Sequence, residues 1–169
     1  VVRHAALSGG VDAVVAVSGP SRWNYRGTRA MRVVHALVNT RAGRWALAAQ
    51  RHTHVCGADW YPPPEPPDAV AGRIAPTPLL VVHGDADHYF PLEHARWLAR
   101  AAGPTATLWE LAGFGHAESA VPPDLTRRIA GWITAAVAGA GAGSRRRPST
   151  EFRDSSGVQT RAVDSFPCV

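Results

Sequence analysis

Apolar positions along the chain fall into two patterns: short runs that are apolar almost without a break, and longer runs in which apolar residues recur at helical spacing. VVRHAALS reads as the closing turns of a helix, which Gly9 and Gly10 end. VDAVVAVSG follows, valine-rich and nearly continuous, as expected of a strand covered on both faces in a parallel sheet. PLLVVHG, from Pro78 to Gly84, and TATLWEL, from Thr105 to Leu111, predict a second and a third strand. Between them PLEHARWLARAAG has a proline at its start, Glu93 in its first turn and a glycine at its end, the signals of a helix. PPDLTRRIAGWITAAVA, Pro122 to Ala138, places apolar residues at 125, 129, 132, 133 and 137 and predicts a last helix. The intervening segment Pro20–Ala75 carries helical spacing around Thr28–Asn39 and Gly43–Arg51. Its prolines at 62, 63, 64, 66 and 67 argue against regular structure there. The alternation of strands and helices predicts an α/β fold, a parallel sheet flanked by helices, with a helical insert.

After Ala138 the pattern stops. Residues 139–169 hold an Ala/Gly run, an arginine cluster and scattered polar residues, and are expected to be a disordered tail beyond a domain of residues 1–138. The tail also explains much of the charge. The formal net charge is +5, and all 18 basic residues are arginine. With the tail's five arginines and three acids set aside, 13 basic residues face 10 acidic ones, and no basic stripe is interleaved with aromatics, so no nucleic-acid partner is expected. No apolar stretch reaches the roughly 18 residues of a membrane span. Two cysteines, Cys56 and Cys168, the second in the tail, give no disulfide framework and point to a reducing cytoplasm.

The chemistry gathers after the second and third strands. VVHGDADHYFP ends its strand at Gly84 and then presents Asp85 and Asp87; LWELAGFGHAES ends its strand and then presents His116. In an open parallel sheet both loops leave the same edge, where sites form, so an acid and a histidine can meet. The histidine's ordinary pKa of about 6.5 suits it to take and return protons near neutrality.

These residues resemble the C-terminal portion of the α/β-hydrolase-fold enzymes, the serine hydrolases and esterases. The family commonly carries its acid as HGxxD followed by a proline, which falls here on His83, Gly84, Asp87 and Pro91, and its histidine as GxGH, which falls on Gly113, Gly115 and His116. Both motifs occur in order, with 28 residues between Asp87 and His116 and a helix and a strand among them. The resemblance implies acyl transfer: a serine attacks a carbonyl, His116 takes the proton and passes it to the leaving group, and Asp87 fixes the imidazole tautomer. It implies no cofactor and a small-molecule acyl substrate, a carboxylic ester or thioester. Asp85 is the rival acid, its other reading being a turn cap. The insert 20–75 corresponds to a cap, in which Trp23, Tyr25, Trp60 and Tyr61 could line an acyl pocket.

The chain departs from the family in one respect. The nucleophile elbow G-x-S-x-G, strand then sharp turn then helix, is absent. Ser8 in ALSGG follows a helix-like segment, and Ser18 in VSGPS lacks the upstream glycine. The reading adopted is a chain that begins after the elbow, with the serine upstream of Val1 and this chain inactive alone. Two alternatives stand beside it. One is a non-enzymatic binding protein of the same fold. The other is a metallohydrolase, drawing on His83, Asp85, Asp87 and His88 or on His52, His54 and Cys56.

Overall fold

The computed structural model describes residues 1–56, 61–117 and 121–144, the side chains of 141–144 excepted. Its elements run α1 (Val2–Ser8), β1 (Val14–Val17), α2 (Arg29–Asn39), α3 (Arg41–Arg51), α4 (Pro67–Val70), β2 (Leu79–Gly84), α5 (Glu93–Ala102), β3 (Ala106–Leu111) and α6 (Pro123–Ser144), with single 3₁₀ turns after α4 and after α5. The three strands form one parallel sheet in the order β1-β2-β3.

The near-continuous apolar runs are explained by burial on both faces. In register, Val14 lies beside Leu79 and Leu79 beside Ala106; one step on, Val15, Leu80 and Thr107 face the other way. Val14, Ala16, Leu79 and Val81 pack with Val2 and Ala5 of α1, Ala71 and Ile74 of the 3₁₀ turn, and Ala95 and Leu98 of α5. The opposite face, Leu80 and Val82 with the partly buried Val15, Val17, Trp109 and Leu111, packs against Leu125, Ile129 and Trp132 of α6. Helices therefore cover both sides of β2, all of whose residues are buried.

The element boundaries expected from sequence hold to within a few residues, with two exceptions. The proline-rich stretch was expected to exclude regular structure, yet Pro67 opens the short helix α4. A proline at the first helical position gives up an N–H that has no intrahelical partner anyway. The last helix was expected to end at Ala138 and continues to Ser144. No proline occurs between Pro123 and Pro148 to break the backbone ladder, although Gly139, Gly141 and Gly143 are poor helix formers. The rest of the expected tail, with Cys168, lies outside the described residues. Among the described residues no helix is long and apolar enough to cross a membrane.

The insert is tied to the sheet at its near end. Thr28 caps α2 by accepting from the Met31 backbone N–H, and the same hydroxyl donates to Tyr89 O, in the loop after β2. Arg22 pairs with Asp68 at 2.8 Å and lies over the Trp97 ring of α5 at 4.6 Å. Neither α2 nor Tyr61, which is 97% exposed, contributes a buried side chain to the core.

Candidate functional site

The carboxyl ends of the three strands release Ser18, the loop 85–90 and the loop 112–117 at one edge of the sheet. Gly84, the last residue of β2, has no side chain because there is no room for one. A Cβ there would collide with the backbone carbonyl of Phe114. That close approach lets two bonds join the loops, from Asp85 N–H to Leu111 O and from Ala86 N–H to Phe114 O, at 3.1 Å each.

Asp87 and His116 meet across this junction, with Asp87 Oδ2 2.8 Å from His116 Nδ1. The Asp87 side chain is fully buried and that of His116 is 20% exposed. The other carboxylate oxygen accepts the backbone N–H groups of Tyr89 at 2.8 Å and Phe90 at 3.1 Å, an Asx-type turn that aims the side chain. Burial alone would push the Asp87 pKa up. The hydrogen bond from His116, the two backbone N–H groups and the His116 charge outweigh it, and the pKa lies below the usual value. Asp87 is thereby held as the anion, the form that can orient an imidazole and stabilise it when protonated. Asp85 turns away: its Oδ1 accepts the Gly113 N–H at 2.7 Å and so caps the turn that opens the histidine loop.

Behind the pair stand two buried histidines. His83 Nε2 donates to Phe90 O at 2.8 Å and lies 3.4 Å from Asp87 Oδ2. His94, on α5, accepts the Ser21 backbone N–H on Nδ1 at 3.2 Å, with the Ser21 hydroxyl 2.9 Å away. Burial, then repulsion from His83 and Arg22, pushes the His94 pKa down. Its ring is packed edge-on by Tyr25 at 4.4 Å and Phe90 at 5.3 Å. Sequence reasoning missed His94. The signal was available, since residues 94, 98 and 102 form one helical stripe with Leu98 and Ala102, so a histidine there needs a buried partner.

Comparison with known proteins adds little to this geometry. No family model matches the chain. No curated protein matches it either. Among solved structures it is similar to the crystal structure of TT1662 from Thermus thermophilus, with 17% sequence identity and a TM-score of 0.49. The match covers 80% of this chain and 49% of that one, so this chain spans about half of that chain's length.

Beside the pair lies a cavity of about 440 Å³, lined among others by Trp23, Tyr25, Met31, His35, Val38 and Phe90. Its size falls within the range of small-molecule sites. Phe90 connects cavity and pair, its ring centroid 5.9 Å from that of His116. Tyr89 also packs edge-on against His116, at 4.9 Å. Of the four aromatic residues expected to line an acyl pocket, Trp23 and Tyr25 line this cavity and Tyr61 does not; Trp60 lies outside the described residues. Trp23 also donates its indole N–H to Glu65 O at 3.1 Å, and Tyr25 packs on His94, so both hold the insert in place as well.

Three of the residues considered as metal ligands, His83, Asp85 and Asp87, are engaged in other contacts. His83 bonds the Phe90 carbonyl, Asp85 caps a turn, and among the described residues no group of three or more His, Cys, Asp or Glu is placed to hold a metal ion.

Proposed function

We propose that Asp87 and His116 are the acid and base of a Ser-His-Asp acyl-transfer site, and that the natural protein cleaves a carboxylic ester or thioester. The observation that supports this reading is the 2.8 Å contact between a fully buried carboxylate and His116 Nδ1. With Nδ1 committed to the anion, Nε2 is left as the nitrogen that can take a proton from a hydroxyl. The neighbouring cavity supports an apolar acyl group: Trp23, Tyr25, Met31, Val38 and Phe90 all contribute to its wall, beside the polar Asn24, His35 and Asn39. Arg22 also lines it, but its guanidinium is paired with Asp68 and stacked on Trp97, which argues against an anionic acyl group. No cofactor is required by this chemistry.

The nucleophile is a serine brought to His116 Nε2. Among the described residues no hydrogen bond joins a serine hydroxyl to His116. That observation also favours the second reading, a binding protein of the same fold that does no chemistry. One experiment separates them. The natural protein is exposed to a fluorophosphonate and assayed on an activated aryl ester, alongside His116→Ala. The hydrolase reading expects serine labelling, and a fall in kcat/KM of about 10⁴ in the variant. Equal turnover in both proteins would refute it, and absence of labelling and turnover in the natural protein would favour the binding protein.

A further inference from the structure

We infer that Ser18 is a positioning residue for His116: its buried hydroxyl oxygen fixes the backbone just after the histidine. The inference deepens the acyl-transfer reading and rests on it for its catalytic meaning, although the contact stands by itself. Ser18 follows the last residue of β1 and is only 3% exposed. Its backbone N–H donates to Val82 O at 2.9 Å, extending the pairing of β1 with β2 by one residue. Its φ is +50°, in the left-handed region that a residue other than glycine, asparagine or aspartate rarely adopts.

A glycine would hold that conformation without steric cost. The serine side chain has a use there that glycine could not supply, since its Oγ accepts the backbone N–H of Ala117 at 3.2 Å. The histidine loop is thus held from both sides. Before His116, Phe114 O is bonded to Ala86 and the Gly113 N–H to Asp85; after it, Ala117 is bonded to Ser18. With its backbone fixed on both flanks, His116 has little freedom except at its side-chain torsions, and Asp87 fixes those. Only the tertiary fold brings β1 to residue 117, 99 positions away in the chain. The same contact argues against Ser18 as a nucleophile, because the hydroxyl is buried and its oxygen is engaged.

The test is amide hydrogen exchange and proton NMR on the full 169-residue chain. In the wild-type chain the Ala117 amide, although in a loop, is protected from exchange, and the His116 Nδ1–H resonance is resolved. Ser18→Gly relieves the backbone and removes the oxygen; Ser18→Ala removes the oxygen and keeps the strain. Both raise the Ala117 exchange rate about tenfold or more and broaden the Nδ1–H resonance, although Asp87 is untouched. Their thermal stabilities differ in the opposite sense, with glycine the more stable. A role confined to strand packing would move stability and leave the Nδ1–H resonance sharp. An unprotected Ala117 amide in the wild-type chain would overturn the inference without any variant, and so would a sharp resonance in whichever variant folds. Fluorophosphonate labelling at Ser18 would overturn it as well, in favour of a nucleophile. Failure of the natural protein to hydrolyse the ester, with protection and resonance intact in this chain, would count against the proposed reaction alone.

Discussion

Asp87→Asn tests the site at the atom where its geometry is most constrained. The replacement keeps Oδ1, and with it the two bonds from the Tyr89 and Phe90 N–H groups, and puts an NH₂ in place of the oxygen facing His116. His116 must then accept on Nδ1 and carry its proton on Nε2, the nitrogen that ought to be the base. His83 cannot adjust in the same way. Its Nε2 donates to Phe90 O, so its N–H meets the new NH₂ across 3.4 Å. A hydrogen bond to a charged group contributes about 1.5–3 kcal/mol and a neutral one about 1 kcal/mol. The exchange, with the N–H clash at His83 added, costs about 2 kcal/mol at pH 7. Asp87→Ala loses all three acceptor contacts and leaves the buried Phe90 N–H without a partner, for about 4 kcal/mol. Urea unfolding of the two variants beside the wild-type chain measures both values. The pH dependence follows from the lowered Asp87 pKa. A carboxyl whose folded value is depressed stabilises the fold fully above its unfolded value, about 3.9, and loses that contribution as pH falls through the folded value. The gap between wild type and Asp87→Asn therefore narrows in that acid window. An Asn variant as stable as wild type at pH 7, or an Ala variant no worse than Asn, would refute this account of the carboxylate.

Three further outcomes follow from the same geometry. Gly84→Ala drives a methyl into the Phe114 carbonyl, so the histidine loop separates from β2. A stability loss of about 1–3 kcal/mol by thermal melting, with the His116 Nδ1–H resonance lost, is expected, and an unchanged melt would show that the loops are not in contact. Because His94 has a depressed pKa, it stabilises the fold fully above the unfolded histidine value of about 6.5 and progressively less as pH drops below it. Denaturation at pH 7.5 and 5.5 should show that decline in the wild-type chain and a flatter one in His94→Gln; equal slopes would place its origin elsewhere. Leu80→Ala, at the fully buried centre of β2, costs about 2–5 kcal/mol in chemical denaturation, and a loss under 1 kcal/mol would mean that α6 does not cover that face.

The strands, and the sheet edge that carries the candidate site, were legible in the apolar pattern. Leu79–Val82 is apolar at every position, which only a strand covered on both faces requires, and a parallel sheet sends the loops after β2 and β3 to one edge whatever else the chain does. Motif spacing placed Asp87 and His116 in those loops. It favoured Asp87 with Asp85, two residues away in the same loop, as the rival. The choice depends on two backbone N–H groups, those of Tyr89 and Phe90, that turn one carboxylate inward, and on Gly113, whose N–H draws the other away. The wall of the cavity was half legible. Trp23 and Tyr25 carry an aromatic signal, but whether a residue of the insert faces the cavity or solvent depends on how the insert docks, and Tyr61, of the same residue class, is exposed. The buried stripe of α5 was enough to place His94 in the interior, but the partners of His94 and Ser18 needed the assembled fold. Their partners, Ser21 and Ala117, are 73 and 99 residues away, and no local pattern records a contact whose chain-closure cost is met only when the whole sheet assembles.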